Sequence, residues 1–592
     1  MLSRVTLLLA LALIAACSQL HATVRYTVTL ADPVRHLVQV AMEIPPGRNS
    51  HELQLPVWNA LYQVRDFAQY MDSIRATGPA GNVLPLMLLN KSRWHLTGAE
   101  KGARIEYQMF SNDPGPYGAE FNQQHAFFNL AEVLLYADDT RGDENQLEFR
   151  NIPAGWKTAT PLSPQGPGYE AKNYDALVDA PVEMGTFEEN DFSGDCGRYR
   201  VVVDGANAAS ILAKIVPPIQ RIVNSATAWM NDCPFQTYTF IYHFGSSPST
   251  GGMEHAFSTA IALPTSDIDD LERLTSITAH EFFHLWNVKR IRPQSLEPVD
   301  YTREDYTDAL WFSEGTDTTA ADSIRLHAGL LDETRYLDRL SQAITELESR
   351  PAHLTQSVEQ SSLDAWLEKY PHYGLPERSI SYYNKGELLG VVLDLKIREL
   401  THGRQSLQSL FREMNNRYAK QGKFFADSDG VRNAVEEITG ADFRDFFNQY
   451  VAGVREIPWN SFFSDVGLRA STMEVEIARS GFEAVREFNG PPIVVTVQPG
   501  SEAEQAGLKA DDELVSINGI AAGRDFERQI EAIGPGGILR LRIRRNGAPR
   551  DLQWKLGAQR VKVYRLEDLP SMTPEQKTAR RQWLYGSSQP TR

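Results

Sequence analysis

The sequence predicts a multidomain α+β protein built from three successive regions, and three patterns predict it. Alternating and β-branched segments, punctuated by Pro and Gly, fill residues 23–172. Helix-period patterns dominate from 271 to 450. Short apolar strands joined by tight turns return between 457 and 560. Strands followed by a run of helices indicate a β-rich unit and then an α+β unit. At 592 residues the chain is also too long for one hydrophobic core.

Residues 1–22 have the composition of a signal segment. Arg4 precedes an almost wholly apolar run, residues 5–16, too short to span a bilayer and of the length of a signal h-region. No other stretch approaches the apolar length of a span, so no transmembrane segment is expected in the mature chain. Two cleavage readings compete. Ile14-Ala15-Ala16-Cys17 resembles the bacterial lipobox, which ends the signal at 16 and makes Cys17 a lipid anchor; Ser18 after it then favours the outer membrane. Cleavage after Ala22 instead releases a soluble protein. Both readings send the chain out of the cytoplasm, to the bacterial periplasm or the outer membrane. There Cys196 and Cys233 either form a disulfide or stay as two thiols. The net charge of −17 argues against nucleic acid or an anionic membrane as the main partner.

In the first region, 24–30, 37–44 and 102–109 have strand patterns, and the turn-rich stretch 161–168 leads to the boundary at 172. The second region, 173–456, opens with strands at 199–203 and 237–244. Residues 208–230 between them have a helical pattern that Pro217-Pro218 should kink or break. The third region, 457–560, has strands at 493–497, 514–517 and 538–543 and a tight turn at Asn518-Gly519. Residues 561–592 are a polar extension with a short helix around Glu575 and no evident chemistry.

The chemistry concentrates in His280-Glu281-Phe282-Phe283-His284, within a predicted helix over 274–290. Histidines four apart share a helix face and can hold one metal ion. Glu281 sits beside the ion's open position, the arrangement of a zinc hydrolase whose glutamate takes a proton from the attacking water. A third ligand is required. Glu314, in Leu310-Trp311-Phe312-Ser313-Glu314-Gly315, is the best candidate, because an unpaired carboxylate in that aromatic setting would be costly to bury. Glu297, Glu304 and Asp305 are rivals in polar loop sequence. Thr318 shares the helix face of Glu314 and is placed to support a ligand.

Together these motifs resemble a known group. H-E-x-x-H followed by W-x-x-E-G resembles the gluzincin metallopeptidases. HEFFHLWNVKRIRP and DYTREDYTDALWFSEG resemble the glycyl aminopeptidase family in particular. That resemblance implies a β N-terminal domain, a thermolysin-like catalytic domain, and a C-terminal PDZ domain. It also implies one Zn²⁺ per chain on His280, His284 and Glu314, with Glu281 as general base. Residues 497–519, VQPGSEAEQAGLKADDELVSING, resemble a bacterial PDZ domain, a module that binds peptide C-termini by strand addition or serves only as packing. Ser480-Gly481-Phe482 is the candidate carboxylate loop. Gly251-Gly252-Met253-Glu254-His255 resembles the G-x-M-E-N edge strand of related aminopeptidases, with Glu254 binding the substrate α-ammonium. His255 replaces the asparagine there, and either orients Glu254 or packs. Tyr382-Tyr383-Asn384-Lys385-Gly386 resembles Y-x-K-G and makes Tyr383 the oxyanion donor.

The expected function is that of a zinc aminopeptidase removing N-terminal residues, glycine or alanine by family resemblance, from peptide substrates. An endopeptidase of envelope proteins with PDZ recruitment is one alternative, and a non-catalytic PDZ scaffold the other.

Overall fold

The computed structural model describes residues 23–586 apart from 60–61, 246–249, 368–374, 487–489 and 524–525. The signal segment and Cys17 lie outside the described residues. The multidomain α+β architecture is as the sequence predicts: a β-rich N-terminal part, a largely helical middle and a C-terminal β unit.

The N-terminal part is built from three sheets. Strand Val24–Asp32 pairs antiparallel with Leu37–Ile44 and parallel with Asn145–Arg150 inside a seven-stranded sheet. Strand Ala103–Phe110 shows why the alternation mattered. Ala103, Ile105, Tyr107 and Met109 point into the core and the residues between them point out. The β structure runs past residue 172: Val182–Gly185 pairs with Lys157–Ala159 and His125–Phe128 in a four-stranded sheet.

A five-stranded mixed sheet opens the middle part. Its order is Glu188–Gly194, Gly197–Asp204, Thr237–Gly245, Ser258–Pro264, Gly251–Glu254. Helix Ala208–Met230 makes the crossover between two parallel strands. Of the kink or break expected at Pro217-Pro218, the break does not occur, and the helix is continuous through both residues. The carbonyls left without a donor belong to Ala213 and Lys214, both exposed residues that water can reach. Cys196 and Cys233 are joined as a disulfide with Cα atoms 5.2 Å apart.

Helix Leu271–Phe283 is shorter than the predicted 274–290. It starts at Asp270, whose side chain accepts from the backbone of Glu272. It ends at His284, and Val288 then takes a left-handed φ of 76°. Asn287 holds this tight turn by donating to the carbonyls of Phe312 and Ser313.

The C-terminal sheet includes Pro492–Val497, Glu513–Ile517, Ile538–Arg545 and Ala548–Lys555. A long ribbon, Leu468–Arg479 with Gly557–Asp568, connects it to the helical part. Within the described residues, 561–586 take up regular structure, with a helix around Glu575. They complete the ribbon and then form helix Pro574–Tyr585, whose Trp583 is buried near Tyr336.

Candidate metallopeptidase site

The two phenylalanines inside the H-E-x-x-H motif fix its orientation. Phe282 meets Tyr238 edge-on at 4.9 Å and Phe283 meets Phe411 edge-on at 5.0 Å. With both rings anchored in the core, His280 and His284 face the other way, into a cavity of about 1060 Å³ between the N-terminal part and the helical part.

Glu314 reaches the same point from a second segment. Trp311–Thr316 is one turn of π-helix leading into helix Asp317–His327, a local widening often found at functional sites. Glu314 Oε2 lies 3.4 Å from His280 Nε2 and 3.4 Å from His284 Nε2, and the two imidazole nitrogens are 3.0 Å apart. A tetrahedral ion with bonds of roughly 2.0–2.1 Å has ligand–ligand edges of about 3.3 Å. The His₂Glu donor set and its spacing thus fit zinc. The rivals fare differently: Asp305 receives the backbone N–H of Asp300, and Glu297 pairs with Arg292 at 3.1 Å.

The far sides of the imidazoles converge on Asp317, which sequence reasoning missed. Its carboxylate oxygens lie 3.2 Å from His280 Nδ1 and 3.4 Å from His284 Nδ1, and it is fully buried. Such a partner leaves Nε2 as the donor toward a metal. Thr318 is 3.3 Å from His280 Nδ1 and donates to the carbonyl of Glu314. Asp317 was also legible, being three residues from Glu314 on the same helical face.

Glu281 is buried and its Oε2 has no hydrogen-bond partner among the described residues. Burial raises its pKa, and although the two histidines oppose that shift, Glu254 and Glu314 add to it. For Glu314 burial also works upward, but the two imidazoles outweigh it and hold the carboxyl low.

Strand Gly251–Glu254 forms the edge of the five-stranded sheet and one wall of the cavity. Glu254, Glu281 and His284 offer atoms within 4.8 Å of one another. Gly252 backs directly onto Glu281, where a Cβ would overlap the carboxylate, and Gly251 backs onto the Tyr117 hydroxyl. Met253 is buried and receives an N–H from Asn129. His255 turns away from the cavity, 3.4 Å from Asp179. Asp179 also pairs with Lys289 at 2.8 Å and accepts from the backbone of Ala256, tying the end of the edge strand to the turn after His284. Burial works to raise the Asp179 carboxyl, but Lys289 and His255 hold it well below the usual range.

Helix Tyr382–Thr401 supplies the last group. Ser381 caps it by accepting from the backbone of Asn384. Tyr382 packs in the core, whereas Tyr383 lines the cavity with its ring 6.2 Å from that of His280. The N-terminal part contributes Trp58, Tyr62 and Tyr117 to the cavity. These lie far from the motifs in sequence and carried no local signal.

Residues 273–389 match the M61 glycyl aminopeptidase model, 25–186 the peptidase M61 N-terminal domain, and 493–545 a PDZ domain. No curated protein matches the chain by sequence. Among solved structures, an aminopeptidase N family protein from Idiomarina loihiensis is 26% identical, with a TM-score of 0.78 over 95% of this chain and 100% of that one. An M1 zinc metallopeptidase from Deinococcus radiodurans is 12% identical, with a TM-score of 0.46 over 74% and 95%. Native yeast LTA4 hydrolase is 12% identical, with a TM-score of 0.46 over 75% and 70%.

Proposed function

We propose that this chain, whose residues 273–389 match the M61 glycyl aminopeptidase model, 25–186 the peptidase M61 N-terminal domain and 493–545 a PDZ domain, hydrolyses the first peptide bond of peptides with a small N-terminal residue, glycine or alanine. The observation that carries the direction of attack is the position of Glu254 on the cavity edge, with its carboxylate grouped with Glu281 and His284. A second carboxylate beside Glu281 is unfavourable unless a cation offsets it. The α-ammonium of a peptide supplies that charge through charge-assisted hydrogen bonds. The family description supports glycine as the first residue.

His280, His284 and Glu314 would hold one zinc ion. When bound, it supplies Lewis-acid polarisation of the scissile carbonyl and makes water more acidic. Glu281 takes the proton of the attacking water and passes it to the leaving amine, a role suited to a carboxylate whose pKa burial has raised. Tyr383 donates to the developing oxyanion. Asp317 and Thr318 keep the imidazoles in the ligating tautomer. A panel of aminoacyl chromogenic substrates, run with and without chelator and beside N-acetylated peptides, tests the reading. Glycyl and alanyl substrates should be cleaved, chelator should abolish turnover, and blocked peptides should be inert. Efficient cleavage of the blocked peptides would make it an endopeptidase.

The PDZ unit takes a peptide C-terminus along strand Phe482–Arg486, which stands at the edge of its sheet. A free-acid peptide that binds no better than its C-terminal amide would remove that role. The protein is exported, as a lipoprotein through Cys17 or by cleavage after Ala22, and the Cys196–Cys233 disulfide is in keeping with an oxidising compartment. Cell fractionation with radiolabelled lipid distinguishes the two routes, and a cytoplasmic enzyme would contradict both.

A further inference from the structure

A second group of metal-ligating side chains lies outside the peptidase site, where the N-terminal part meets the five-stranded sheet. His125 begins strand His125–Phe128, and Glu183 lies on the paired strand Val182–Gly185. Asp204 and His243 are partners in register on the parallel strands Gly197–Asp204 and Thr237–Gly245. The four side chains therefore come from two sheets, two residues from each.

Their atoms converge. Glu183 has no exposed side-chain surface, and its two oxygens lie 3.2 Å from His125 Nδ1 and 2.8 Å from His243 Nε2. Asp204 lies 3.6 Å from His125 Nδ1. His125, Glu183 and His243 each offer one ligand atom within 4.8 Å of the others. The remaining nitrogen of His125, Nε2, lies 3.3 Å from Glu120 on strand Ala119–Phe121.

A neutral imidazole has one N–H. If Nε2 donates it to Glu120, the lone pair of Nδ1 points at Glu183 and Asp204, two oxygen acceptors, and that arrangement is repulsive unless a second proton sits on Nδ1 or a metal cation lies between them. Carboxylate, histidine and metal in line is the usual arrangement in which an outer carboxylate fixes the tautomer of a ligating imidazole. Two imidazole nitrogens and two carboxylate oxygens form a donor set suited to zinc and neighbouring divalent ions.

We infer that His125, Glu183, Asp204 and His243 form a second divalent-cation site, structural in character, clamping the N-terminal part to the catalytic sheet. Because the ion would bridge two parts of the chain, its gain in affinity is a gain in their docking. This inference stands on residues apart from the peptidase cavity and does not depend on the function proposed above.

The test is metal stoichiometry on the full-length protein, stripped with chelator, dialysed and titrated with Zn²⁺ alone. The wild type should take up two ions per chain. His243→Ala and Glu183→Gln should each take up one and keep their zinc-dependent turnover. Glu314→Ala should also take up one, and combining it with Glu183→Gln should leave none held tightly. If His243→Ala does not fold, Glu183→Gln in the Glu314→Ala background gives the same answer, as a rise of at least tenfold in the Kd of the remaining ion. Saturation of the wild type at one ion overturns the inference, as does a Glu183→Gln variant that still binds two. In either case the cluster is an imidazolium–carboxylate latch.

Discussion

Gly315 and Gly386 stand face to face, so close that a Cβ on Gly315 would lie 2.5 Å from the Cα of Gly386. A Cβ on Gly386 would in turn overlap the backbone carbonyl of Trp311. The two residues close the W-x-x-E-G and Y-x-K-G motifs, so the crossing of their segments is what brings Glu314 and Tyr383 to one cavity. One turn further on, Gly390 packs against Thr319 and extends the close approach. Both motifs end in glycine because the backbones touch there.

Gly315→Ala should separate these segments. Overpacking of this kind costs about 1–3 kcal/mol, and a lower melting temperature should accompany reduced zinc content. A variant with wild-type melting and full zinc would show that the crossing is more tolerant than its geometry implies.

Gly252→Ala addresses Glu281 alone. The added methyl group must displace the carboxylate it would overlap, and a misplacement of about 1 Å costs on the order of 100-fold in rate. Steady-state kinetics should show kcat falling by that order while zinc content holds, since the three atoms nearest the added methyl all belong to Glu281. Loss of zinc in this variant would mean that the strand also supports the metal ligands.

Asp317→Ala should weaken zinc binding roughly 10–100-fold, the usual cost of losing a group that orients ligating histidines. Thr318→Ala should cost less, because Thr318 touches one imidazole and Asp317 touches both. Competition with a chromogenic chelator measures each. Equal affinities in wild type and Asp317→Ala would reassign Asp317 to folding.

Asp179→Asn probes the strand end. Losing a charge-assisted hydrogen bond costs about 1.5–3 kcal/mol. The folded carboxyl is held below its usual range by Lys289 and His255 against the upward pull of burial. Its stabilising contribution is therefore present above the unfolded carboxylate pKa and is lost as pH falls toward the depressed folded value. Denaturant melts should show the wild-type advantage shrinking between about pH 5 and pH 2. An advantage that persists unchanged at low pH would contradict the pairing.

Much of the site was legible because its parts are local. H-E-x-x-H carries its own geometry, the aromatic run around Glu314 marked a carboxylate that needed a partner, and the resemblance to Y-x-K-G singled out Tyr383 rather than Tyr382. What was hidden arises from packing. Asp179 and His255 meet across distant segments, and Trp58, Tyr62 and Tyr117 enter the cavity from another part of the chain. The early end of the helix at His284 depends on Asn287 bonding to carbonyls of Phe312 and Ser313. The continuity of the helix through Pro217-Pro218 depends on which carbonyls face solvent. Neither is a property of the local sequence.

The central claim is that Glu254 makes this zinc peptidase an exopeptidase. The most direct test compares kcat/KM for a glycyl peptide and its N-acetylated form in wild type and Glu254→Ala. The wild type should prefer the free N-terminus by at least about 100-fold, consistent with the loss of a buried charged contact, and Glu254→Ala should remove most of this preference by losing activity on the free peptide alone. An equal loss on both peptides, or a wild type that cuts both alike, would contradict it.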